Sequence, residues 1–121
     1  MREQPLSPGM ILRLKRTEKR LPLIRVADAV GISENHLSHI ERDSRTPGDD
    51  VIRDLARFYG IDELDLFDLY GKVPLSITEE IGDNEALRNT LYEISNNENL
   101  STKQKSDLYA RIKRLYEEFT K

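Results

Sequence analysis

The sequence predicts an all-α protein with two parts, a domain of five helices over residues 9–72 and a C-terminal helical hairpin over residues 73–121. Apolar residues recur at intervals of three and four, and β-branched residues never alternate over the length of a strand. Helix-capping and turn-forming residues separate the apolar segments. A length of 121 residues suits one small domain with an appendage.

The first two predicted helices are bounded by residues with clear backbone preferences. The first spans about residues 10–19 and directs Ile11 and Leu14 inward. The second spans residues 23–30 and ends at Gly31, because glycine takes a positive φ without Cβ strain. A proline precedes this helix, where a missing N–H has no cost. Its inward side chains are Val26, Ala27 and Val30.

The third predicted helix begins after Ser33, a good N-cap, and extends to about Arg42. Glu34 stands favourably near the positive end of its dipole. Its inward residues are Leu37 and Ile40, three positions apart.

The fourth predicted helix spans residues 49–59 and stops at Gly60, and a short fifth helix begins after Asp62. Both carry apolar residues at helical spacing. These are Val51, Ile52, Leu55, Ala56 and Tyr59 in the fourth helix and Leu64, Leu66 and Phe67 in the fifth.

The remaining helices are predicted from their caps. Residues 76–79 have a capping-box pattern and predict one short turn before a glycine. Asp83 or Asn84 caps a sixth helix that ends near residue 95. Ser101 and Gln104 form a second capping box, which opens a seventh helix that extends to about residue 120.

The composition excludes several classes of function. The chain has no Cys, which excludes disulfides and thiolate metal sites. Its longest apolar runs are three residues, whereas a membrane span needs about 20, and no secretory signal is recognisable. We therefore expect a cytoplasmic protein without membrane contact. No phosphate-binding loop, Cys/His pair or metal-ligand spacing occurs, so we expect neither an enzyme nor a cofactor.

Charge is distributed unevenly, although the formal net charge is only -3. Residues 9–47 carry eight Lys/Arg against five Asp/Glu, residues 48–72 carry three against seven, and residues 73–121 carry seven against nine. A local positive excess can attract a polyanion to one end of a molecule whose total charge repels it. The alternative is that these charges belong to ordinary solvated helix faces.

Residues 22–42 have the pattern of two short helices joined by a tight turn. Ala27 stands where two helices cross closely, and Gly31 lets the backbone reverse. Leu37 and Ile40 share the inward face of the second helix. This packing leaves the opposite face exposed, as in a helix that reads the major groove of DNA.

Residues 9–70 resemble the phage-repressor/Cro-like (XRE) helix-turn-helix family. The resemblance rests on several short segments taken together: Val26-Ala27, Val30-Gly31-Ile32-Ser33, Leu37-Ser38-His39-Ile40-Glu41-Arg42, Arg45-Thr46-Pro47, Leu55-Ala56, Tyr59-Gly60-Ile61 and Asp62-Glu63-Leu64-Asp65-Leu66-Phe67. It implies a five-helix DNA-binding domain that acts as a dimer on an inverted-repeat operator, usually as a transcriptional repressor.

The resemblance assigns base contacts to one face of the third helix. The residues on this face are Ser33, Glu34, Asn35, His36 and His39. Asn can pair with adenine, Glu can accept from cytosine N4, and His can donate to guanine N7 or, when charged, to phosphate. Two His three positions apart can instead be surface residues or metal ligands, but no further ligand lies nearby in the sequence.

The same resemblance assigns phosphate contacts to Leu23, Arg42, Arg45 and Thr46. Many family members carry Gln where this chain has Leu23, so only the backbone N–H is available for a phosphate at this position. For the other three residues the alternative is an ordinary surface loop.

Three further expectations concern the scaffold. The resemblance pairs Glu41 with a cation of the first helix, here Arg16 or Lys15. Asp43 stands where the family usually has glycine, and Asp tolerates the left-handed conformation better than most residues. Residues 14–21 look one residue longer than the family pattern, so we expect a distorted turn after the first helix.

The last two predicted helices carry apolar seams. The seventh has Leu108, Ile112, Leu115 and Phe119 at coiled-coil spacing with Tyr109 and Tyr116 beside them, and the sixth has Leu87, Leu91 and Ile94. We expect these seams to meet a second copy in a four-helix arrangement, giving a homodimer. The alternatives are packing against residues 49–70, or docking of a regulatory protein on the hairpin.

The expected function is therefore a dimeric, sequence-specific DNA-binding regulator whose partners are double-stranded DNA and a second copy. The alternative is a protein-interaction module, or an antitoxin, built on a helix-turn-helix scaffold.

Overall fold

A computed structural model describes residues 5–121, and the regular structure in this range is entirely α-helical. The helices are α1 (Pro8–Glu18), α2 (Leu23–Val30), α3 (Glu34–Glu41), α4 (Asp49–Tyr59), α5 (Glu63–Leu69), α6 (Leu75–Asp83), α7 (Glu85–Ser95) and α8 (Thr102–Phe119). The all-α prediction is confirmed. Within residues 5–121, no helix combines the length and the apolar character needed to cross a membrane.

The chain divides into two compact units, the first ending at Glu79 and the second comprising Glu80–Lys121. The functional boundary between residues 72 and 73 stays a prediction. The core of the first unit takes apolar side chains from each of α1–α5, and α2 contacts both α3 and α4. Its fully buried members include Leu12, Val26, Ala27, Leu37, Ile40, Ile52, Leu55, Leu66 and Phe67.

The first helix differs from its prediction in start and in orientation. It begins at Pro8 rather than at residue 10, because the Ser7 Oγ accepts a hydrogen bond from the Met10 N–H at 3.2 Å. Its buried apolar residue is Leu12, whereas Leu14 is 44% exposed and was wrongly predicted to face inward. The two positions differ by about 200° around the helix, so only one of them can face the core.

Of the apolar residues in α5, Leu66 and Phe67 are buried and Leu64 is 49% exposed. One prediction for the later helices is wrong. The capping box at residues 76–79 is not formed, because α6 already begins at Leu75. Glu79 instead forms an ion pair with Arg53, which also donates to Glu63 at 3.2 Å. The first unit therefore uses Glu79 to connect the start of α6 to α4 and α5.

The first five helices end in the same way. Each is followed by a residue with positive φ: Arg20 (54°), Gly31 (72°), Asp43 (59°), Gly60 (68°) and Gly71 (66°). The amide of the next residue then donates to a carbonyl five positions earlier, at 2.9–3.1 Å. This is the Schellman motif, which satisfies carbonyls left free at a helix end. The turn after α1 is therefore not distorted as expected, but it places a non-glycine residue in the left-handed conformation.

Close backbone contact joins the start of α1 to the end of α3. Gly9 is buried, and its N–H donates to Asp43 Oδ1 at 2.9 Å. A Cβ at Gly9 would overlap the carbonyl oxygens of Ile40 and Glu41. Only glycine therefore allows these two helices to approach this closely.

The second unit has the predicted caps. Asn84 Oδ1 accepts from the Leu87 N–H at 2.9 Å, and Ser101 and Gln104 form the reciprocal capping box. Lys105 Nζ donates to the Ser95 carbonyl at 3.2 Å, which connects the start of α8 to the end of α7. None of the side chains in residues 80–121 is buried.

We expect Gly9→Ala to destabilise the first unit by about 2 kcal/mol, because the new methyl group must displace the backbone of α3. Gly82→Ala is the matched control, since Gly82 lies inside α6 with open space around its Cα. The control should leave stability unchanged or raise it by up to about 1 kcal/mol. Urea denaturation followed by circular dichroism measures both, and equal effects would disprove the close contact.

Candidate nucleic-acid interface

The apolar residues of α2 and α3 hold the two helices together across a tight turn. Gly31 makes the turn with φ 72°, and Ala27 is fully buried where the helices approach. α3 directs Leu37 and Ile40 into the core, and neither has any exposed surface. The opposite side of α3 is therefore free to meet a ligand.

The first turn of α3 displays polar side chains. Ser33 Oγ accepts from the His36 N–H at 3.0 Å, which fixes the helix start. Ser33, Glu34 and Asn35 are exposed, and His36 and His39 are half-buried. The structure thus brings all five predicted base-contact residues onto α3 and its N-cap, with none of them in the core.

The end of α3 is fixed by Asp43 and Ser44. Asp43 takes the left-handed conformation that the resemblance implied, and its carboxylate accepts from Gly9 of α1. Ser44 folds back over α3, where its N–H and its Oγ both donate to the His39 carbonyl, at 3.0 and 3.1 Å. Ser44 Oγ also lies 2.8 Å from His39 Nδ1.

A buried ion pair fixes α3 against α1. Arg16 Nε and Nη2 donate to the two carboxylate oxygens of Glu41 at 2.8 and 2.9 Å, and Nη1 donates to the Leu21 carbonyl at 2.9 Å. The two side chains are only 13% and 4% exposed. The hydrogen bonds that Arg16 donates to the Glu41 carboxylate raise the pKa of Arg16. This confirms the expected pairing of Glu41 and shows that Arg16, rather than Lys15, is the partner.

Tyr59 lies beside this pair in the core. Its hydroxyl is buried and has no hydrogen-bond partner within residues 5–121. Burial, reinforced by the nearby charge of Glu41, raises the pKa of Tyr59 to about 12. The phenol therefore stays neutral next to the ion pair.

A surface notch lies between α1, α2 and α3. It is lined by Arg13, Arg16, Leu23, Ser38, Glu41 and Arg42. Leu23 is the first residue of α2, and the N-cap, Pro22, supplies no side-chain hydrogen bond to the free amides there. Two exposed arginines, Arg13 and Arg42, line the same notch as Leu23. Backbone N–H groups at a helix start beside cations form a favourable environment for a phosphate.

The other predicted phosphate contacts lie elsewhere. Arg45 and Thr46 are exposed in the loop between α3 and α4 and do not line the notch. Of the four predicted phosphate contacts, the structure therefore brings only Leu23 and Arg42 together.

The sequence-based prediction did not include Arg13, which lines the notch. The available signal was its position three residues before Arg16, which places both side chains on one face of α1. The bond between Ser44 and His39 had no comparable signal, since it requires the left-handed turn at Asp43 to fold the chain back.

Metal binding finds no support at the His pair. Within residues 5–121, no group of three or more His, Cys, Asp or Glu side chains is arranged to hold a metal ion. His39 is instead bonded to Ser44. The arrangement offers hydrogen-bond donors and acceptors.

The apolar seams of the second unit face solvent in the single chain. Leu91, Ile94 and Leu108 are partly buried. The other seam residues are exposed, namely Leu87, Tyr109, Ile112, Leu115, Tyr116 and Phe119. The exposed fraction rises along α8 from 50% at Ile112 to 82% at Phe119. Monomeric proteins rarely leave such a continuous apolar stripe uncovered.

The model of a helix-turn-helix family matches residues 12–66, which run from α1 into α5. Comparisons with curated proteins and with solved structures gave no match.

We expect Glu41→Leu to lower the free energy of unfolding by about 3–5 kcal/mol, because it leaves the Arg16 charge buried without a partner. Arg16→Met combined with Glu41→Leu should recover most of this loss, since no buried charge then remains. Urea denaturation of the single and double variants gives the coupling energy. Strictly additive effects would contradict the pairing.

Asp49→Asn is the control for this experiment. Asp49 pairs with Lys72 at 3.1 Å, but both side chains are substantially exposed. Its substitution should therefore cost less than about 1 kcal/mol.

Proposed function

We propose that this chain, whose residues 12–66 form a helix-turn-helix domain of the phage-repressor/Cro-like (XRE) family, is a transcriptional repressor that binds an inverted-repeat operator as a dimer. The family's helix-turn-helix domain indicates DNA binding and transcriptional regulation, and the family is typically non-enzymatic. The single observation that carries the proposal is the exposed polar face of α3 on a helix whose other face is fixed in the core.

Base recognition is assigned to the exposed face of α3. Asn35 has the amide geometry for a bidentate contact with adenine, and Glu34 can accept from the cytosine amino group. Ser33 and His36 stand next to them in the first turn, with His39 one turn further on. A helix usually enters the major groove with its N-terminal residues nearest the bases, which is where these side chains lie.

Phosphate binding is assigned to the notch and to the loop after α3. In the notch, the amides at the start of α2 and the guanidinium groups of Arg13 and Arg42 can hold one phosphate. Arg45 and Thr46 can contact a second phosphate from the loop between α3 and α4. Because the whole chain has a net charge of -3, DNA attraction must come from these local groups.

Dimerisation is assigned to the C-terminal helices, with a second copy of the chain as the occupant of the apolar stripe. The stripe on α8 comprises Leu108, Ile112, Leu115 and Phe119, and Leu87, Leu91 and Ile94 extend it on α7. Leu115 alone is 54% exposed, so covering it removes apolar surface from water. Two copies joined in this way would present two α3 helices to two half-sites, which raises affinity through effective concentration.

A regulatory protein that binds the same stripe is the second candidate. The observation in its favour is Tyr92, which is 69% exposed on α7 outside the predicted seam. Such a protein would compete with the second copy, and a purified chain that stays monomeric with its stripe intact would favour it.

Selection of duplexes from a random pool by the full chain should yield an inverted repeat with half-site centres about 10 base pairs apart. On that operator, Asn35→Ala should weaken the free energy of binding by about 1–3 kcal/mol and relax the base preference at one position in each half-site. The measurements are binding titrations on the selected operator and on its single-base variants. A variant that discriminates bases as the parent does would exclude Asn35 from the groove.

Arg45→Ala should behave differently, because a phosphate contact carries no base information. We expect weaker binding to all duplexes alike and a log–log salt slope that is less steep by about one. Arg57→Ala, at an exposed arginine of α4 outside the proposed interface, is the control and should leave the slope unchanged. An unchanged slope for Arg45→Ala would remove this residue from the phosphate contacts.

Leu115→Asp should convert the dimer into monomers in sedimentation experiments and lower operator affinity, because it places a charge in the apolar stripe. Ala110→Asp is the matched control, since Ala110 is exposed on the opposite side of α8 and receives the same charge. A dimer that persists in Leu115→Asp would place the association surface elsewhere.

A further inference from the structure

At the end of α3, the Ser44 hydroxyl contacts both the backbone carbonyl and the imidazole of His39. Ser44 Oγ donates to the His39 carbonyl at 3.1 Å. The same oxygen lies 2.8 Å from His39 Nδ1. The Ser44 N–H also donates to the His39 carbonyl, at 3.0 Å. The Ser44 N–H and hydroxyl thus bind the same carbonyl, which fixes the hydroxyl beside the His39 imidazole.

The single proton of the Ser44 hydroxyl determines which imidazole nitrogen of His39 carries the hydrogen. A serine hydroxyl has one proton, and a hydrogen bond between Ser44 Oγ and the His39 carbonyl must use it, because a carbonyl oxygen can only accept. The bond to Nδ1 then needs its proton from the imidazole. If the Ser44 hydroxyl donated to Nδ1 instead, its oxygen would lie 3.1 Å from the His39 carbonyl oxygen with no proton between the two atoms. Of the two neutral tautomers, only the Nδ1–H form satisfies both contacts as hydrogen bonds.

The backbone after α3 makes this arrangement possible. Asp43 has φ 59°, which turns the chain back so that Ser44 lies over the last turn of α3. The Asp43 carboxylate is itself held by the Gly9 N–H of α1, at 2.9 Å. The position of the Ser44 hydroxyl therefore follows from the packing of α1 against α3.

We propose that Ser44 determines the base preference of His39 by holding its imidazole as the Nδ1–H tautomer. In that neutral tautomer Nε2 has a lone pair and no proton, so it accepts hydrogen bonds. In the major groove, acceptors are complementary to the amino groups of cytosine and adenine and are mismatched to guanine and to the O4 of thymine. His39 thus selects a base with an amino group, the opposite of donation to guanine N7. This inference rests on the proposed DNA-binding function.

The tautomer is tested first on the free, full-length protein. Two-bond ¹H–¹⁵N NMR correlations distinguish Nδ1–H from Nε2–H imidazoles, and pH 8.5 lies above the range in which imidazoles ordinarily become charged. His39 should show the Nδ1–H pattern in the parent and in Ser44→Thr, which keeps the hydroxyl. Ser44→Ala should lose that pattern. His36 is the internal reference and should not respond to either substitution. An Nε2–H pattern for His39 in the parent overturns the inference, whatever the DNA experiments show.

The base preference is tested on the operator selected from a random duplex pool. One operator position should lose its base preference in His39→Ala. At that position, the parent and Ser44→Thr should bind operators with cytosine or adenine about fivefold or more tightly than operators with guanine or thymine. Ser44→Ala should reduce this ratio severalfold, and it should change nothing at that position in a His39→Ala background. A ratio that is unchanged in Ser44→Ala overturns the inference. A parent that selects no sequence refutes the proposed function instead, while the NMR result still decides the tautomer.

Discussion

The orientation of α3 depends on the buried pair of Arg16 and Glu41. Apolar contacts through Leu37 and Ile40 attach α3 to the core, but hydrophobic packing is not directional. The guanidinium adds three directed bonds, two to the Glu41 carboxylate and one to the Leu21 carbonyl. These bonds connect α3, α1 and the approach to α2. Breaking the pair would leave each charge buried without a partner, which is costly. The ion pair therefore favours this one orientation of α3.

α1 holds the end of α3 at two separate points. Gly9 contacts Asp43 and Arg16 contacts Glu41, and the two α1 residues are two helical turns apart. The beginning of α3 is attached through Gly31 and the cap at Ser33. Contacts at both ends hold a helix of only eight residues in place, so its polar side chains project from a fixed backbone. Such preorganisation reduces the entropy lost on binding.

The sequence allowed prediction wherever one residue type decides the local geometry. Gly31 marked a helix end and Ser101 marked a helix start, and the structure has both. The inward face of α1 was less predictable, because Leu12 and Leu14 are both leucines and only contacts with other helices distinguish them. The same limit applies to the candidate site. The face of α3 followed from apolar spacing, whereas the place of Arg13 in the notch depends on how three helices meet.

The proposed interface combines acceptors for bases with cations for phosphates. Glu34 presents a carboxylate, and an Nδ1–H His39 would present a second acceptor. The Glu34 carboxylate is repelled by the DNA backbone, so its contact with a base would require cations elsewhere on the interface, such as Arg42 and Arg45, to bind the phosphates. Non-specific affinity grows with the number of phosphates neutralised, and here that number is small. Binding would consequently depend on base contacts and on the second copy, which favours discrimination between sequences over general attraction to DNA.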